Sequence, residues 1–172
     1  ASGAVSGSRM EKSDTLKMAK ELQKQFEEQG FDIVMSRTSD VYVSTDARTK
    51  LERDNKCDLA ISVHRNSASS SSAQGFEVWV HTKAPQSYIN WCKDMVSGMA
   101  SCGMRIRNGR SANYVCDGVY RGYIGSVNDN YYVNSGTNAP SCMLEVGFVG
   151  NAADNALFDS KLSELCEAVV RA

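Results

Sequence analysis

The feature that most constrains this fold is the alternation of helical hydrophobic patterns with short apolar runs. Apolar residues at helical spacing predict helices, here over residues 15–28, 45–56, 86–101 and 161–170. Short apolar runs predict strands, here over residues 31–35, 58–63, 75–80 and 142–146. The order implies an α/β fold with a mainly parallel or mixed twisted sheet and helices on both faces.

Local sequence patterns predict the segments that connect these helices and strands. Ser13 is a plausible N-cap for the first helix, and the serine-rich residues 67–73 indicate a flexible loop. Residues 103–138 are rich in Gly, Asn and Tyr, and we expect one short strand there at 131–133. Residues 151–154 predict a turn. We expect residues 58–63 to form a strand that is buried on both faces.

Length and charge narrow the class of protein. A chain of 172 residues fits a single domain over residues 1–172, and we expect a monomer. The net charge of −1 argues against a nucleic-acid partner. No apolar run approaches the roughly 20 residues that a membrane span needs. The six cysteines form no Cys-x-x-Cys pair, so we expect mostly free thiols, with one or two disulfides left open.

Two histidines are available for chemistry. His64 ends a predicted buried strand, which is where ligands bind in open α/β sheets. Its position alone is equally consistent with a metal ligand, a general base or a histidine that is hydrogen-bonded at the end of a strand. His81 follows the next strand beside Thr82 and Lys83, and we interpret it as an ordinary surface residue.

Two glutamates deserve separate interpretations. Glu145 interrupts an apolar run, where a carboxylate is costly to bury unless it is paired, metal-bound or protonated. It is therefore a site candidate, and the alternative is that it points outward from an edge strand. Glu11 precedes the first predicted helix, and taken alone it is an ordinary carboxylate at a helix start.

Several segments, in this order along the chain, resemble zinc-dependent N-acetylmuramoyl-L-alanine amidases of the type-3 family. Residues 11–16, followed by a predicted helix and by Gly-Phe-Asp-Ile-Val at 30–34, resemble the start of these amidases, and Asp-Leu-Ala-Ile-Ser-Val-His-Arg-Asn at 58–66 resembles their histidine motif. Gly-Phe-Glu-Val follows at 75–78, and Leu-Glu-Val-Gly-Phe-Val-Gly-Asn at 144–151 resembles the glutamate motif. The resemblance covers nearly the whole chain and is weakest over residues 103–138.

The resemblance implies a peptidoglycan hydrolase that cleaves the amide between N-acetylmuramic acid and L-alanine. It implies one Zn²⁺ with Glu11 and His64 as ligands and Glu145 as the catalytic glutamate. The family's first histidine, on its first strand, has no counterpart, as if the chain began roughly ten residues late. Since a catalytic zinc usually has three protein ligands, we expect these 172 residues alone to be metal-poor.

Other interpretations remain open at this stage. The chain could be a non-catalytic peptidoglycan-binding domain, a zinc peptidase that acts on the stem peptide, or a metal-free α/β domain. Peptidoglycan lies outside the cytoplasmic membrane, so the resemblance implies an extracellular or cell-wall location, reached by export or as a phage lysin.

Residues 103–138 could also form one wall of a substrate groove. The segment carries four arginines that could meet stem-peptide carboxylates, namely Arg105, Arg107, Arg110 and Arg121. A solvated variable loop explains the same residues equally well. Asn66 could contact substrate near His64, but a turn residue is the interpretation that we favour. Arg37 and Arg48 could pair with carboxylates that brace the fold or the site, and we assign neither to catalysis.

Overall fold

The computed structural model describes residues 2–172, so the first residue of the predicted domain, Ala1, lies outside the described residues. The helices are α1 (Glu11–Glu28), α2 (Thr45–Asn55), α3 (Gln86–Ser101), α4 (Tyr132–Gly136), α5 (Ala152–Ser160) and α6 (Leu162–Val170). The strands are β1 (Val5–Ser6), β2 (Arg9–Met10), β3 (Ala60–Asn66), β4 (Phe76–Val80), β5 (Tyr114–Cys116), β6 (Val119–Arg121) and β7 (Ser141–Phe148).

Five of the strands form one mixed sheet in the order β3-β7-β4-β6-β5. The pairs β3–β7 and β4–β6 are parallel, while β4–β7 and β5–β6 are antiparallel. This confirms the predicted α/β class. In the register, Glu145 of β7 lies between His64 of β3 and Glu77 of β4. Directly opposed residues point to the same face of a sheet, so these three side chains form one row.

The two faces of the sheet are covered differently. One face is buried beneath α1, α3 and α6, where Val78, Leu144 and Leu165 are fully buried. The other face carries a smaller cluster built on Trp79 and Met143, beside α4. The row of charged residues lies on this second, less covered face, because Glu77 and Trp79 are two residues apart on one strand.

The first helix begins earlier than the sequence predicts. It starts at Glu11, and Ser13 lies inside it rather than capping it. The hairpin β1–β2 folds back so that the carbonyl of Ala4 accepts from the Glu11 N–H (2.9 Å) and that of Ser2 accepts from the Lys12 N–H (3.1 Å). Backbone carbonyls thus satisfy the free amides of the first turn in place of a side-chain cap. The Glu11 side chain is consequently held at the start of a rigid element.

The predicted strand at residues 31–35 is wrong. The segment pairs with no strand, and a cleft of about 1080 Å³ separates Val34 and Met35 from β3. A strand needs a neighbour to satisfy its backbone, which an apolar pattern cannot report. Leu16 and Ala19, which the helical pattern places inward, line this cleft. The free edge of β3 also explains why that strand is only partly buried, contrary to expectation.

The other predicted elements agree with the structure to different degrees. Helices α2 and α3 match their predicted ranges, with Ser44 accepting from the Ala47 N–H at the start of α2. Residues 131–133 enter the short helix α4 rather than a strand, and 151–154 begin α5 with Asn151 as its N-cap. All six cysteines are free thiols. None of the helices in the described part of the chain has the length and apolar character to cross a bilayer.

Candidate active site

Glu11 and His64, which lie 53 residues apart in sequence, are in direct contact. The Nδ1 of His64 lies 2.9 Å from Oε1 of Glu11, and its Nε2 lies 3.0 Å from the hydroxyl of Ser62. The other Glu11 oxygen accepts from the backbone N–H of Ala4 (2.7 Å). The hairpin, the start of α1 and the end of β3 therefore converge on one carboxylate–imidazole pair.

The pair is electrostatically coupled. Burial by itself would raise the pKa of Glu11, but hydrogen bonds from His64 and the Ala4 amide hold that pKa below its ordinary value. Burial opposes the charged form of His64, but the hydrogen bond with Glu11 and the charge of Glu145 raise its pKa above the ordinary value. Each partner thus favours the charged form of the other, and the His64 side chain remains 39% exposed to solvent.

Glu145 lies next to this pair, and its carboxyl group is unusual in its burial and in its pKa. Its Oε2 is buried and has no hydrogen-bond partner among residues 2–172. Burial, with further repulsion from Glu11 and Glu77 and partial relief from His64, raises its pKa to about 8. The carboxyl group is therefore ready to hold or release a proton near neutral pH, which is what a general acid–base group requires.

Glu77 is a buried carboxylate that the sequence motif contains but sequence reasoning did not single out. Its Oε1 accepts from Asn66 Nδ2 (3.0 Å) and Trp79 Nε1 (3.2 Å), and its Oε2 accepts from Arg107 Nε (3.3 Å). It interrupts an apolar strand just as Glu145 does, so the same burial argument would have flagged it. Unlike Glu145, it is fully hydrogen-bonded.

The other residues that the sequence singled out do not belong to the Glu11–His64 pair. His81 follows the last residue of β4, four residues and roughly 13 Å from Glu77 at strand spacing, and its Nδ1 accepts from the Lys83 N–H. Asn66 is the last residue of β3 rather than the turn residue that the sequence favours, and its side chain donates to Glu77 and accepts from the Ser67 N–H. Arg37 donates to the Lys12 carbonyl and Arg48 to the Val43 carbonyl, so neither forms the carboxylate pair that the sequence suggested within residues 2–172.

The raised pKa of Glu145 predicts a pH-dependent stability in the chelator-treated chain. The folded state binds the proton of Glu145 more tightly than the unfolded state does. This contribution to stability is complete below about pH 4.5 and is lost as the pH rises through about 8. A glutamine at this position has no such proton to lose, so we expect the stability of the E145Q variant to rise relative to that of the wild type as the pH rises from 5 to 9.

Thermal melting at pH 5, 7 and 9 measures this gain. The exposed Glu164→Gln variant is the matched control and should track the wild type at each pH. An E145Q-to-wild-type difference in Tm that stays constant across the series would contradict the buried, proton-binding state of Glu145.

The donor set suits a small divalent cation in part. Zinc binds imidazole nitrogen and carboxylate oxygen at 2.0–2.2 Å, which places two such donors roughly 3.3 Å apart. The 2.9 Å between Glu11 and His64 is close to that separation, and the unpartnered oxygen of Glu145 lies in the same region. Within residues 2–172, however, no three His, Cys, Asp or Glu side chains form a group that could hold a metal ion.

These features define an α/β protein with a carboxylate–imidazole pair beside a proton-binding glutamate. Comparison with known families is in agreement. The profile of the N-acetylmuramoyl-L-alanine amidase family matches residues 1–172, so the chain belongs to that family. The probable cell wall amidase LytH of Staphylococcus aureus is 31% identical over 155 residues, which cover 89% of this chain and 44% of that protein. The chain therefore spans less than half the length of this curated relative.

Solved structures agree at the level of the fold. The catalytic domain of the amidase CwlV from Paenibacillus polymyxa superposes with a TM-score of 0.79 and 25% identity, covering 98% of this chain and 87% of that one. An N-acetylmuramoyl-L-alanine amidase from Clostridium difficile gives a TM-score of 0.80 at 23% identity, covering 99% and 86%. The mixed sheet with its helices is thus the fold of these amidases.

Proposed function

We propose that this chain hydrolyses the amide bond between N-acetylmuramic acid and L-alanine in peptidoglycan. The observation that carries the proposal is the contact between Glu11 and His64 beside the unpartnered carboxyl of Glu145, in a chain of the amidase family. We further propose that residues 1–172 act as one catalytic domain and as a monomer. The cell wall, outside the cytoplasmic membrane, is the proposed place of action.

In this proposal Glu11 and His64 would hold one zinc ion. Zinc supplies Lewis acidity, which polarises a carbonyl and lowers the pKa of water toward 7. Glu145 takes a proton from the attacking water and delivers it to the nitrogen of the departing L-alanine. The hydroxyl oxygen adds to the lactyl carbonyl carbon as the carbon–nitrogen bond breaks, so one water is consumed per bond. The pKa of about 8 belongs to the metal-free chain, and a cation bound beside Glu145 would lower that pKa and favour the ionised form that accepts the proton.

We propose that a third ligand comes from a polypeptide segment lying in the cleft beside β3. Two observations support this location. The edge of β3 that faces the cleft pairs with no strand among the described residues, and apolar side chains that include Leu16, Val34 and Leu59 line both walls. An extended segment there would satisfy the backbone of β3 and cover those side chains. It would also pass next to Glu11 and His64, which line the same cleft.

Zinc content tests this part of the proposal. We expect the 172-residue chain to bind zinc weakly and a longer form, which supplies the proposed segment in the cleft beside β3, to bind one ion per chain. The H64A variant of the longer form should lose at least tenfold in zinc affinity, because one of its ligands is gone. H81A is the matched control. Equal zinc affinity for H64A and the unmodified longer form would contradict the assignment.

Product analysis tests the reaction itself. The zinc-loaded longer form should release stem peptides with a free N-terminal alanine and no muramic acid, detected by mass spectrometry. Peptides cut between stem residues would instead indicate a peptidase. Binding to peptidoglycan without any release, at one zinc per chain, would indicate a non-catalytic domain.

A further inference from the structure

The charged row on the open face of the sheet continues past the proposed catalytic residues. His64, Glu145 and Glu77 lie side by side on three neighbouring strands. Beyond β4 the chain at residues 105–107 runs alongside Phe76, with its amide and carbonyl groups hydrogen-bonded to that strand. Arg107 is therefore the fourth member of the row, two strand spacings or roughly 10 Å from Glu145.

Arg107 is fixed in place while its binding groups remain free. Its Nε donates to Glu77, and its guanidinium lies over the ring of the buried Phe148, 5.0 Å from the centroid. Its two terminal nitrogens make no hydrogen bond within residues 2–172, and 36% of the side chain is exposed. A planar guanidinium held by one edge keeps the fork that binds a carboxylate through two parallel hydrogen bonds.

Arg105 stands beside it on the same face, two residues earlier on an extended segment. It is exposed and forms no ion pair with any residue that the structure describes. Both arginines line a small cleft of about 190 Å³ that the serine-rich loop closes from the other side, at Ser72–Gln74. Two cations with unused donors facing one small space favour an anionic group of carboxylate size.

The other two arginines of this region are engaged differently. Arg121 donates to the carbonyl of Ala84, and Arg110 lies over the ring of Tyr114. Neither lines the small cleft. The structure thus separates four arginines that the sequence left equivalent: Arg107 lies in the row with Glu145, and Arg105 lies beside Arg107 at the small cleft.

We infer that Arg105 and Arg107 form a subsite for a free carboxylate of the peptide part of the substrate. The inference rests on the proposed amidase function, which places the scissile amide at Glu145. An extended peptide advances about 3.3–3.6 Å per residue, so a carboxylate about three residues from that amide reaches the arginines. The subsite makes the charge of the stem peptide a determinant of specificity.

Binding and cleavage of matched substrates test the inference separately. One synthetic muramoyl peptide keeps all its free carboxylates, and in each of the others a single carboxylate is amidated. Calorimetry with the chelator-treated 172-residue chain, which is not expected to cleave, measures the Kd of each. We expect one amidated peptide to bind about tenfold more weakly than the acid form, and this preference to fall to less than threefold in R105Q/R107Q. The single variant R105Q changes only an exposed side chain and should lose part of the preference.

R110Q is the matched control and should keep the full preference. Equal Kd values for the acid form and every amidated peptide with the wild type would overturn the subsite, as would a preference that survives in R105Q/R107Q. Failure of the zinc-loaded longer form to cleave any of these peptides, with the binding preference intact, would instead count against the amidase function alone. In the cleaving form, the double variant should raise KM for the acid peptide more than it lowers kcat.

Discussion

The E145Q variant of the zinc-loaded longer form is expected to lose amide cleavage by about 10²- to 10⁴-fold, the usual contribution of a general acid–base group. Glutamine preserves the size and the hydrogen-bonding shape of the side chain but cannot accept the proton of water. Glu145 has no protein hydrogen bond on its buried Oε2 to lose, so the substitution removes chemistry without breaking a network. Release of peptides with N-terminal alanine measures the effect.

Two controls make this loss specific. E145Q should retain one zinc per chain, since in this account Glu145 is not a ligand. The exposed Glu164→Gln variant should cleave at the wild-type rate. Cleavage by E145Q at more than a tenth of the wild-type rate would contradict the proposed role of Glu145.

The D14A variant is expected to lose about 3–5 kcal/mol of unfolding free energy, the usual cost of leaving a buried charge without its partner. The side chain of Arg65 is completely buried, and its Nη1 donates to Asp14 at 2.5 Å. Burial lowers the pKa of this guanidinium, and the charge of Asp14 opposes that shift. Its guanidinium also contacts Asn155 Oδ1 (2.6 Å), the Phe148 carbonyl (3.4 Å) and the ring of Phe158 (4.4 Å), and none of these supplies a negative charge.

Urea unfolding of D14A beside the exposed Asp32→Ala measures this cost, and we expect D32A to change stability by less than about 0.5 kcal/mol. R65M removes the charge itself and keeps much of the volume, so it should be less damaging than D14A. A loss below about 1 kcal/mol in D14A would show that Arg65 does not depend on Asp14. Because Arg65 follows His64 directly, this network also fixes the end of β3 from which the imidazole projects.

The sequence predicts those elements whose signal is local. Helix α3 has its predicted bounds, and α2 differs by one residue, because helical spacing and the Ser44 cap are both written in consecutive residues. The run around Glu145 predicts β7, since a strand at the centre of a sheet is apolar on both faces. The early start of α1 was missed because its first amides bond to carbonyls of Ser2 and Ala4 rather than to a side chain.

Features that depend on neighbours distant in sequence escaped prediction. The apolar pattern at residues 31–35 is typical of a strand, but the segment lies across a cleft from β3 and has no partner. Only the family resemblance predicted that Glu11 and His64 lie together, because nothing local distinguishes Glu11 from an ordinary carboxylate at a helix start. The position of Arg107 in the charged row depends on its alignment with Phe76, which no periodicity reports.

The most direct test is to locate zinc in crystals of the longer form by anomalous scattering at the zinc edge. We expect one peak within about 2.2 Å of both Glu11 and His64, with the Glu145 carboxyl nearby but not bound to the ion. A zinc peak at His81 or elsewhere, with Glu11 and His64 still bonded only to each other, would contradict it.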